Sequence, residues 1–307
     1  MATGRIPCGI AIPQTFPSGT IDLQLIHEFA QKAEQYGYEG LWTMEQIVSP
    51  APILEPLSLL TYLSAITSRI RLGVSVMLTV LRNPVQLAKL ISSIDQLSQG
   101  RISVGVGIGG HTPESIFGLS SEQRSRRFVE GLNVMKALWT QPQATVDGQF
   151  WKFEKIGMEP KPVQKPHPPI WFGARVPIAL KRAVRHGDAW MGAGSSSSED
   201  FFQQSATIRQ LLAEAGRDPA TFTLSKRVYL AIDTDRARAE RRLREWFAIY
   251  YRNADMGSQV SIWGSRQECI DKLAALVQAG AQHLMLNPVF DQMEHSAILA
   301  EEVVPRL

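Results

Sequence analysis

The segment Arg71–Val106, RLGVSVMLTVLRNPVQLAKLISSIDQLSQGRISVGV, contains the pattern on which the predicted fold depends. Two short apolar runs rich in β-branched residues flank a longer run of helical period. Pro84 stands where the first turn of that helix would begin. A strand, a helix and a second strand in this order are typical of a βαβ unit with parallel strands. We therefore predict an α/β fold built on a parallel sheet.

The same alternation continues in both directions along the chain. The predicted strands are Cys8–Ile12, Gly40–Thr43, Arg71–Met77, Ile102–Val106, Ile170–Phe172, Ala189–Met191, Thr223–Ile232 and His283–Leu286. The predicted helices are Leu23–Gln35, Pro56–Thr67, Pro84–Leu97, Ser121–Leu138, Pro177–Arg185, Glu199–Ala215, Arg236–Tyr251, Arg266–Gln278 and a last one after Asp291. Eight strands without a break in composition favour one (β/α)8 TIM barrel over residues 1–307, with an open doubly wound sheet as the alternative.

The stretch from Thr140 to Pro169 does not fit the alternation. It is rich in proline and aromatic residues and is too long for an ordinary helix-to-strand connection. We interpret residues 140–169 as an insertion between the fourth helix and the fifth strand. Since such insertions often cover active sites, we expect it, with Trp151, to help line the substrate pocket.

Composition excludes several classes of protein. The chain has 307 residues, of which 44% are hydrophobic and 20% charged, so it is long and apolar enough for a packed core. The net charge of +3 and the lack of a run of like charges favour neither a nucleic-acid nor a membrane partner. Cys8 and Cys269 stand far apart and no signal-peptide core is found, so a cytoplasmic location is predicted. No cluster has metal-ligand spacing, so we predict no metal.

Candidate catalytic residues follow the predicted strands, because a TIM barrel places its active site at the carboxyl ends of its strands. Glu45 and Gln46 follow the second strand, and His111 follows the fourth. His111 is a candidate for proton transfer. Glu45 is either an acid or base beside a ligand or the ion-pair partner of Arg82.

Glycines follow the fourth strand in the segment VGVGIGG, Val104–Gly110. The spacing of Gly105, Gly107 and Gly110 satisfies the dinucleotide-binding pattern of a Rossmann fold, which keeps an NAD-dependent dehydrogenase as an alternative. A true fingerprint runs directly into a helix, whereas Pro113 and Gly118 discourage one here. We favour the interpretation that Gly107 and Gly109 let a flat ring approach the backbone.

Two further turns of small residues are candidates for binding a phosphate. Gly173, Ala174 and Arg175 lie between the fifth strand and a helix that opens with Pro177, where amide groups favour an anion. A second turn, formed by Gly192, Ala193 and Gly194, follows the sixth strand and is a candidate for binding the same group. Ordinary tight turns are the alternative at both places.

The chain lacks the residue patterns of several common enzyme mechanisms. It has no GxSxG nucleophile elbow, which argues against a serine hydrolase. Lys226 begins the seventh strand, where a lysine usually serves solubility, so Schiff-base chemistry is not favoured. We infer that the chemistry comes from a bound cofactor.

The chain resembles the bacterial luciferase-like flavin and deazaflavin oxidoreductases over nearly its full length. The resemblance rests on SRIRLGVSVMLTVLRNPVQLAK at Ser68–Lys89, DQLSQGRISVGVGIGG at Asp95–Gly110, PVQKPHPPIWFGA at Pro162–Ala174 and GDAW at Gly187–Trp190. It implies a TIM barrel with an insertion, usually a homodimer, that binds FMN or coenzyme F420 across the strand ends. It also implies a bulge with a non-proline cis peptide at Ser75–Val76, next to Met77, behind the ring. The phosphate would bind main-chain amides at Gly173 and Ala174.

One departure from the family bears on the reaction. Related F420-dependent dehydrogenases carry Asp-His after the second strand, whereas this chain has Glu45-Gln46, so His111 would have to supply an imidazole. Arg175, Lys181 and Arg182 beside the phosphate turn favour F420, which has an anionic tail, over FMN. We therefore predict an F420-dependent oxidoreductase or monooxygenase, with FMN as the alternative cofactor and a small organic substrate. A barrel that binds a ligand without turnover is a further alternative.

Overall fold

The computed structural model describes residues 6–16, 19–49, 52–109 and 114–307. Within these residues, eight parallel strands close into a barrel in the order β1-β2-β3-β5-β8-β9-β10-β12, and β12 pairs with β1. The strands are β1 Cys8–Ala11, β2 Gly40–Thr43, β3 Arg71–Val74, β4 Met77–Leu78, β5 Ile102–Gly107, β6 Ala144–Asp147, β7 Lys152–Ile156, β8 Ile170–Gly173, β9 Ala189–Gly192, β10 Thr223–Ile232, β11 Ile262–Gly264 and β12 His283–Pro288. The predicted (β/α)8 barrel is confirmed.

Helices surround the barrel and begin where the sequence supplies a start signal. They are α1 Leu23–Gln35, α2 Pro56–Ile66, α3 Pro84–Leu97, α4 Arg124–Thr140, α5 Pro177–His186, α6 Ser198–Glu214, α7 Arg236–Tyr251, α8 Met256–Val260, α9 Arg266–Gln278 and α10 Gln292–Ile298. At α3, for example, the Asn83 side chain accepts hydrogen bonds from the amides of Val85 and Gln86, and Pro84 fills the first turn. Among the described helices, none is long and apolar enough to cross a membrane.

The Rossmann alternative is not supported. Gly105 and Gly107 lie inside the barrel strand β5. In the described chain the next elements are a 3-10 turn at Glu114–Phe117 and then α4, which starts only at Arg124. Among the described residues, no helix begins close enough to the end of β5 to place its N-terminus against a pyrophosphate.

The barrel interior is filled by a large aromatic residue that glycines accommodate. Trp42 on β2 is 1% exposed and packs edge-on against Trp171, with ring centroids 5.1 Å apart. A Cβ atom at Gly9 would lie 2.3 Å from Trp42 Nε1, and one at Gly73 would lie 2.5 Å from its ring. Both distances are far below a van der Waals contact, so these glycines leave the space that the indole occupies.

The third strand is interrupted by a bulge. Gly73 pairs with Ser103, whereas Met77 pairs with Val106. Four residues of one strand (77 − 73) therefore face three of the next (106 − 103), which is one extra residue. The Ser75–Val76 peptide within the bulge is cis, as the resemblance implied. The prediction of an unbroken strand over Arg71–Met77 is therefore wrong between Val74 and Met77.

The insertion at 140–169 lies against the outside of the barrel. Its strands β6 and β7 form an antiparallel hairpin, and the Glu130 carboxylate of α4 accepts hydrogen bonds from the amides of Gln149, Phe150 and Trp151. Gln164 donates to the buried Asp95 of α3. The insertion thus packs on α3 and α4. Its residues, including Trp151, do not line the cavities at the strand ends described below, so the expectation that it covers the active site is wrong.

A different excursion reaches the barrel mouth. Strand β10 runs 10 residues, and its last three pair with β11, which is not a strand of the barrel. Helices α7 and α8 connect these two strands. The C-terminal end of α7 carries Trp246, Tyr250 and Tyr251 to the carboxyl ends of the barrel strands, where all three line a cavity.

Candidate active site

Two cavities adjoin each other at the carboxyl ends of the barrel strands. The first, here called the aromatic cavity, has a volume of about 350 Å³ and lies between the ends of β2, the bulge and α7. The second, here called the glycine cavity, has a volume of about 480 Å³ and lies at the ends of β5, β8 and β9. Val76, Gly109 and Tyr251 line both. The bulge therefore stands at the junction of a two-part cleft.

The glycine cavity brings together most of the residues predicted to bind a cofactor. It is lined by Gly107, Gly109, Gly173, Ala174, Arg175, Ala193 and the bulge residue Val76, among others. Ser75 lines the aromatic cavity instead. Two turns that are 20 residues apart in sequence meet here, since Arg175 Nη1 donates to Ser195 Oγ at 3.4 Å.

Helix α5 begins at this cavity without a side-chain cap; Pro177 has no N–H and the Ala179 amide donates to Val176 O, which leaves the Ile178 amide of the first turn for a ligand. Its N-cap residue, Val176, provides no side-chain hydrogen bond, and the first turn contains no acidic residue. Val176, Ile178 and Ala179 line the cavity. An uncapped helix N-terminus facing a cavity favours an anion through its amide groups and its dipole.

The glycines Gly107 and Gly173 at the strand ends lie directly against the bulge. A Cβ atom at Gly107 would lie 2.7 Å from Val76 Cγ2, and one at Gly173 would lie 3.0 Å from the same methyl group. Gly107 and Gly173 therefore make room for the side chain of the bulge residue Val76. A planar ligand would meet Val76, and not bare glycine backbone, at this point of the cleft.

Three residues predicted to bind the cofactor do not line either cavity among the described residues. Met77 is 1% exposed and belongs to the hydrophobic core. A Cβ atom at Gly192 would point toward Phe201, and one at Gly194 would point toward Tyr229. Contact of these three residues with a cofactor stays a prediction.

Lys226 is buried, which corrects the prediction that it serves solubility. The side chain is 2% exposed, and its Nζ donates to the carbonyl oxygens of Ala193 at 2.5 Å and Ser196 at 2.7 Å. Burial lowers the pKa of Lys226 to about 7, against the opposing effect of Asp200. The ammonium group therefore fixes the turn after β9, of which Ala193 and Ser195 line the glycine cavity.

Glu45 forms an ion pair, which confirms the second of its two predicted interpretations. Its side chain is fully buried and its oxygens accept hydrogen bonds from the Leu78 amide and from both terminal nitrogens of Arg82. Arg82 also contacts Glu55 at 3.2 Å. Glu45 is a lining residue of the aromatic cavity, but its carboxylate is fully buried and already engaged, so we interpret it as support for the residues after the bulge.

We expect Glu45→Gln to destabilise the fold by about 2 kcal/mol, because a charge-assisted hydrogen-bond pair with Arg82 becomes a neutral one. Chemical denaturation measures this free energy of unfolding. Glu55→Gln is the matched control: Glu55 is 44% exposed in the same network, and we expect a loss below about 1 kcal/mol. Equal losses in the two variants would show that burial of Glu45 is unimportant.

Arg227 was missed by the sequence analysis, although it is the most buried cation of the aromatic cavity. It is 7% exposed, and its guanidinium donates to Ser75 O and to Asn287 Oδ1, both at 2.9 Å. The sequence does contain a sign of Arg227: three polar residues, Ser225, Lys226 and Arg227, interrupt the otherwise apolar strand β10. Alternation places Ser225, Arg227 and Tyr229 on one face, which is the barrel interior.

Of the other two candidate catalytic residues, Gln46 is described by the structure and His111 is not. Gln46 lines the aromatic cavity and is partly buried. His111 lies outside the described residues. Its role in proton transfer stays a prediction.

A basic groove adjoins the glycine cavity. It lies between α4 and α5, has a volume of about 670 Å³ and shares Ser125, Ile178 and Arg182 with that cavity. Its cations are Arg126, Lys181, Arg182 and Arg185. Burial lowers the pKa of His186 in this groove, and the positive charges of Lys136, Arg185 and Arg182 lower it further. Four cations against the one carboxylate of Glu130 give the described lining of the groove a net positive charge.

Comparisons with known proteins agree with this architecture. A family model described as luciferase-like monooxygenase matches residues 6–283. An uncharacterized protein of Mycobacterium tuberculosis is 41% identical over 167 residues, which are 54% of this chain and 58% of that protein. The match thus spans less than two thirds of that relative. An F420-dependent glucose-6-phosphate dehydrogenase of Nakamurella multipartita is 26% identical over 91% of each chain.

Solved structures show the same fold at low sequence identity. An F420-dependent secondary alcohol dehydrogenase, in complex with an F420-acetone adduct, superposes with a TM-score of 0.84 at 20% identity, covering 98% of this chain and 99% of the other. The FMN complex of the oxygenating constituent of 3,6-diketocamphane monooxygenase from Pseudomonas putida, a type II Baeyer-Villiger monooxygenase, gives 0.78 at 17% identity, covering 99% of each chain.

Proposed function

This chain belongs to the luciferase-like monooxygenase family, and we propose that it is an oxidoreductase that binds F420, or alternatively FMN, in the glycine cavity and acts on a small organic substrate in the aromatic cavity. The observation that carries the proposal is the two-part cleft joined at Val76. It offers an anion site at one end and a separate, partly apolar chamber at the other.

The residues of the glycine cavity fit a phosphate-bearing cofactor. The uncapped start of α5, Arg175 and Ser195 supply amide, guanidinium and hydroxyl donors on one side of the cavity. The apolar side chains of Val76, Phe128 and Phe172 also line it and would exclude water from a planar ring. When bound, a flavin or deazaflavin supplies two-electron redox chemistry, with transfer of a hydride or activation of oxygen, that side chains cannot provide.

The basic groove supports F420 over FMN. F420 carries an anionic oligoglutamyl tail beyond its phosphate, whereas FMN ends at the phosphate. The groove begins at Arg182, beside the proposed phosphate site, and continues past Lys181 and Arg185.

Titration of the purified protein with F420 and with FMN, followed by absorbance and fluorescence of each ring, tests the proposal. We expect saturable changes with both and a lower Kd for F420. The double variant Lys181→Glu/Arg185→Glu should weaken F420 and leave FMN unchanged. Folded protein that perturbs neither spectrum would refute the proposed function, and a lower Kd for FMN would select the alternative cofactor. Binding without turnover of any substrate would favour a ligand-binding barrel.

We expect cofactor affinity to depend on pH through Lys226. Burial lowers the pKa of this lysine to about 7, so the free protein loses the charge as pH rises through 7. A nearby bound anion favours the ammonium form, so binding takes up a proton above pH 7 and the Kd for F420 should rise about 3- to 10-fold between pH 6.5 and 8.5. The Lys226→Met variant should bind F420 weakly at both pH values, and its Kd should change little with pH. A wild-type Kd that falls as pH rises would contradict this linkage.

A homodimer in the cytoplasm, without nucleic-acid or membrane partners, stays a prediction, as does a single domain over residues 1–307.

A further inference from the structure

The aromatic cavity contains a cation whose hydrogen-bonding capacity is only partly used. A guanidinium has five N–H donors. Arg227 directs two of them to Ser75 O and Asn287 Oδ1, and a third approaches Met44 Sδ at 3.9 Å. Its buried Nε has no hydrogen-bond partner among the described residues. A guanidinium that is not fully hydrogen-bonded is costly to bury, so an acceptor on a ligand in the adjoining cavity would be favourable.

The guanidinium is held rigidly in place. Its two hydrogen-bonded neighbours come from the bulge and from β12, and its carbon lies 4.8 Å from the ring centroid of Tyr229. Arg227 is 7% exposed. A fixed arginine of this kind selects for an anionic oxygen-bearing group such as a carboxylate, to which a remaining N–H can donate a charge-assisted hydrogen bond.

The electrostatic balance of the cavity also favours an anion. Glu45 is a lining residue of the cavity, but its carboxylate is fully buried and neutralised by Arg82. Arg227 and Arg252 both line it. The described lining residues therefore carry two cations and one compensated anion, which attracts a negatively charged ligand.

The remaining wall is aromatic. Trp246 and Tyr250 lie with ring centroids 4.2 Å apart, and Tyr251 hydrogen-bonds through its hydroxyl to Tyr229 at 2.6 Å. Trp246, Tyr250 and Tyr251 all line the cavity. Such a wall binds a flat unsaturated body by stacking and by burial of apolar surface. A volume of about 350 Å³ is sufficient for one or two rings.

We propose that the aromatic cavity is specific for a planar unsaturated carboxylate, with its carboxylate on Arg227 and its body against Trp246, Tyr250 and Tyr251. This inference rests on the proposed function, because it assigns the substrate class of the same cleft. Arg227 would be a substrate-binding residue, and the α7 excursion would supply the specificity of the site.

Isothermal titration calorimetry with 2-naphthoate and its neutral analogue 2-naphthamide tests the proposal, using the protein before and after saturation with F420. We expect 2-naphthoate to bind at least tenfold more tightly than 2-naphthamide. Arg227→Gln should remove most of this preference and leave the Kd of the amide little changed, since it deletes charge-assisted bonds only. Arg241→Gln, on an exposed face of α7, removes the same charge and should change neither Kd.

Three results would overturn the proposal: equal affinity for the two probes, unchanged 2-naphthoate binding in Arg227→Gln, or loss of F420 binding alone, which would assign the guanidinium to the cofactor. Glucose 6-phosphate that displaces 2-naphthoate at lower concentration would contradict the substrate class. If Arg227→Gln fails to fold, two other results decide the proposal. Tighter binding of 2-naphthoate than of 2-naphthamide by the wild type, with weaker binding of both probes by Trp246→Ala, supports it, and the absence of either overturns it. Arg227-dependent binding of 2-naphthoate by protein that binds neither F420 nor FMN would refute the proposed function and retain the anion site.

Discussion

Arg175→Glu is expected to weaken binding of F420 at least 100-fold at low ionic strength. Arg175 stands at the start of α5, on the wall of the glycine cavity, and contacts Ser195 of the neighbouring turn. The substitution removes a charge-assisted hydrogen bond and places a carboxylate beside the proposed phosphate site. Because Arg175 is exposed, the fold should tolerate the change, and a fluorescence titration of the cofactor measures the effect.

The charge itself needs a control. Lys155→Glu makes the same change of two charge units on the exposed hairpin of the insertion, where the side chain is 73% exposed, so affinity should be unchanged. The loss in Arg175→Glu should shrink as salt is raised, since exposed charges are screened. If both variants lose affinity equally, long-range charge and not a local phosphate site explains the binding.

Gly105→Ala is expected to prevent accumulation of folded protein. A Cβ atom at this position would lie 1.7 Å from the carbonyl oxygen of Val74, which is main chain and cannot turn aside like a flexible side chain. Overpacking a core typically costs 1–3 kcal/mol, and this contact requires a shift of the backbone, so we expect a loss above about 3 kcal/mol. Soluble yield and thermal unfolding report the result.

Gly131→Ala is the matched control for the glycine substitution. Gly131 lies in α4, and the nearest atoms to an added Cβ are 3.7 Å away, on Pro84 and Trp151. Alanine fits there and is a better helix former, so this variant should be neutral or more stable by up to about 1 kcal/mol. If Gly105→Ala folds as well as Gly131→Ala, β5 does not pack against the bulge as closely as the distance to Val74 O requires.

The barrel could be predicted from sequence because its signals are local. Apolar runs mark the strands, and residues such as Asn83 and Pro84 mark where a helix begins. The phosphate turn could be nominated in the same way, from glycine before a helix that opens with Pro177. Such signals depend on a few adjacent residues, so they do not require knowledge of the packing.

Side-chain environments could not be predicted, because they depend on residues far apart in sequence. Lys226 and Arg227 are neighbours, yet the first fixes the turn after β9 and the second contacts the bulge. Both faces of a barrel strand are buried, so the alternation of apolar and polar residues does not show that Lys226 and Arg227 are buried and not exposed. The α7 excursion also looked like an ordinary barrel helix, and only the pairing of β10 with β11 reveals that it leaves the barrel.

We propose that a flavin or deazaflavin lies across Val76 with its phosphate at the start of α5. A crystal structure of the protein soaked with F420, or with FMN, would locate the cofactor. We predict electron density for the ring against Val76 and for the phosphate within hydrogen-bonding distance of the amides near Ala174 and Arg175 and of Ser195. A cofactor bound elsewhere, or a phosphate that does not contact these residues, would refute this placement.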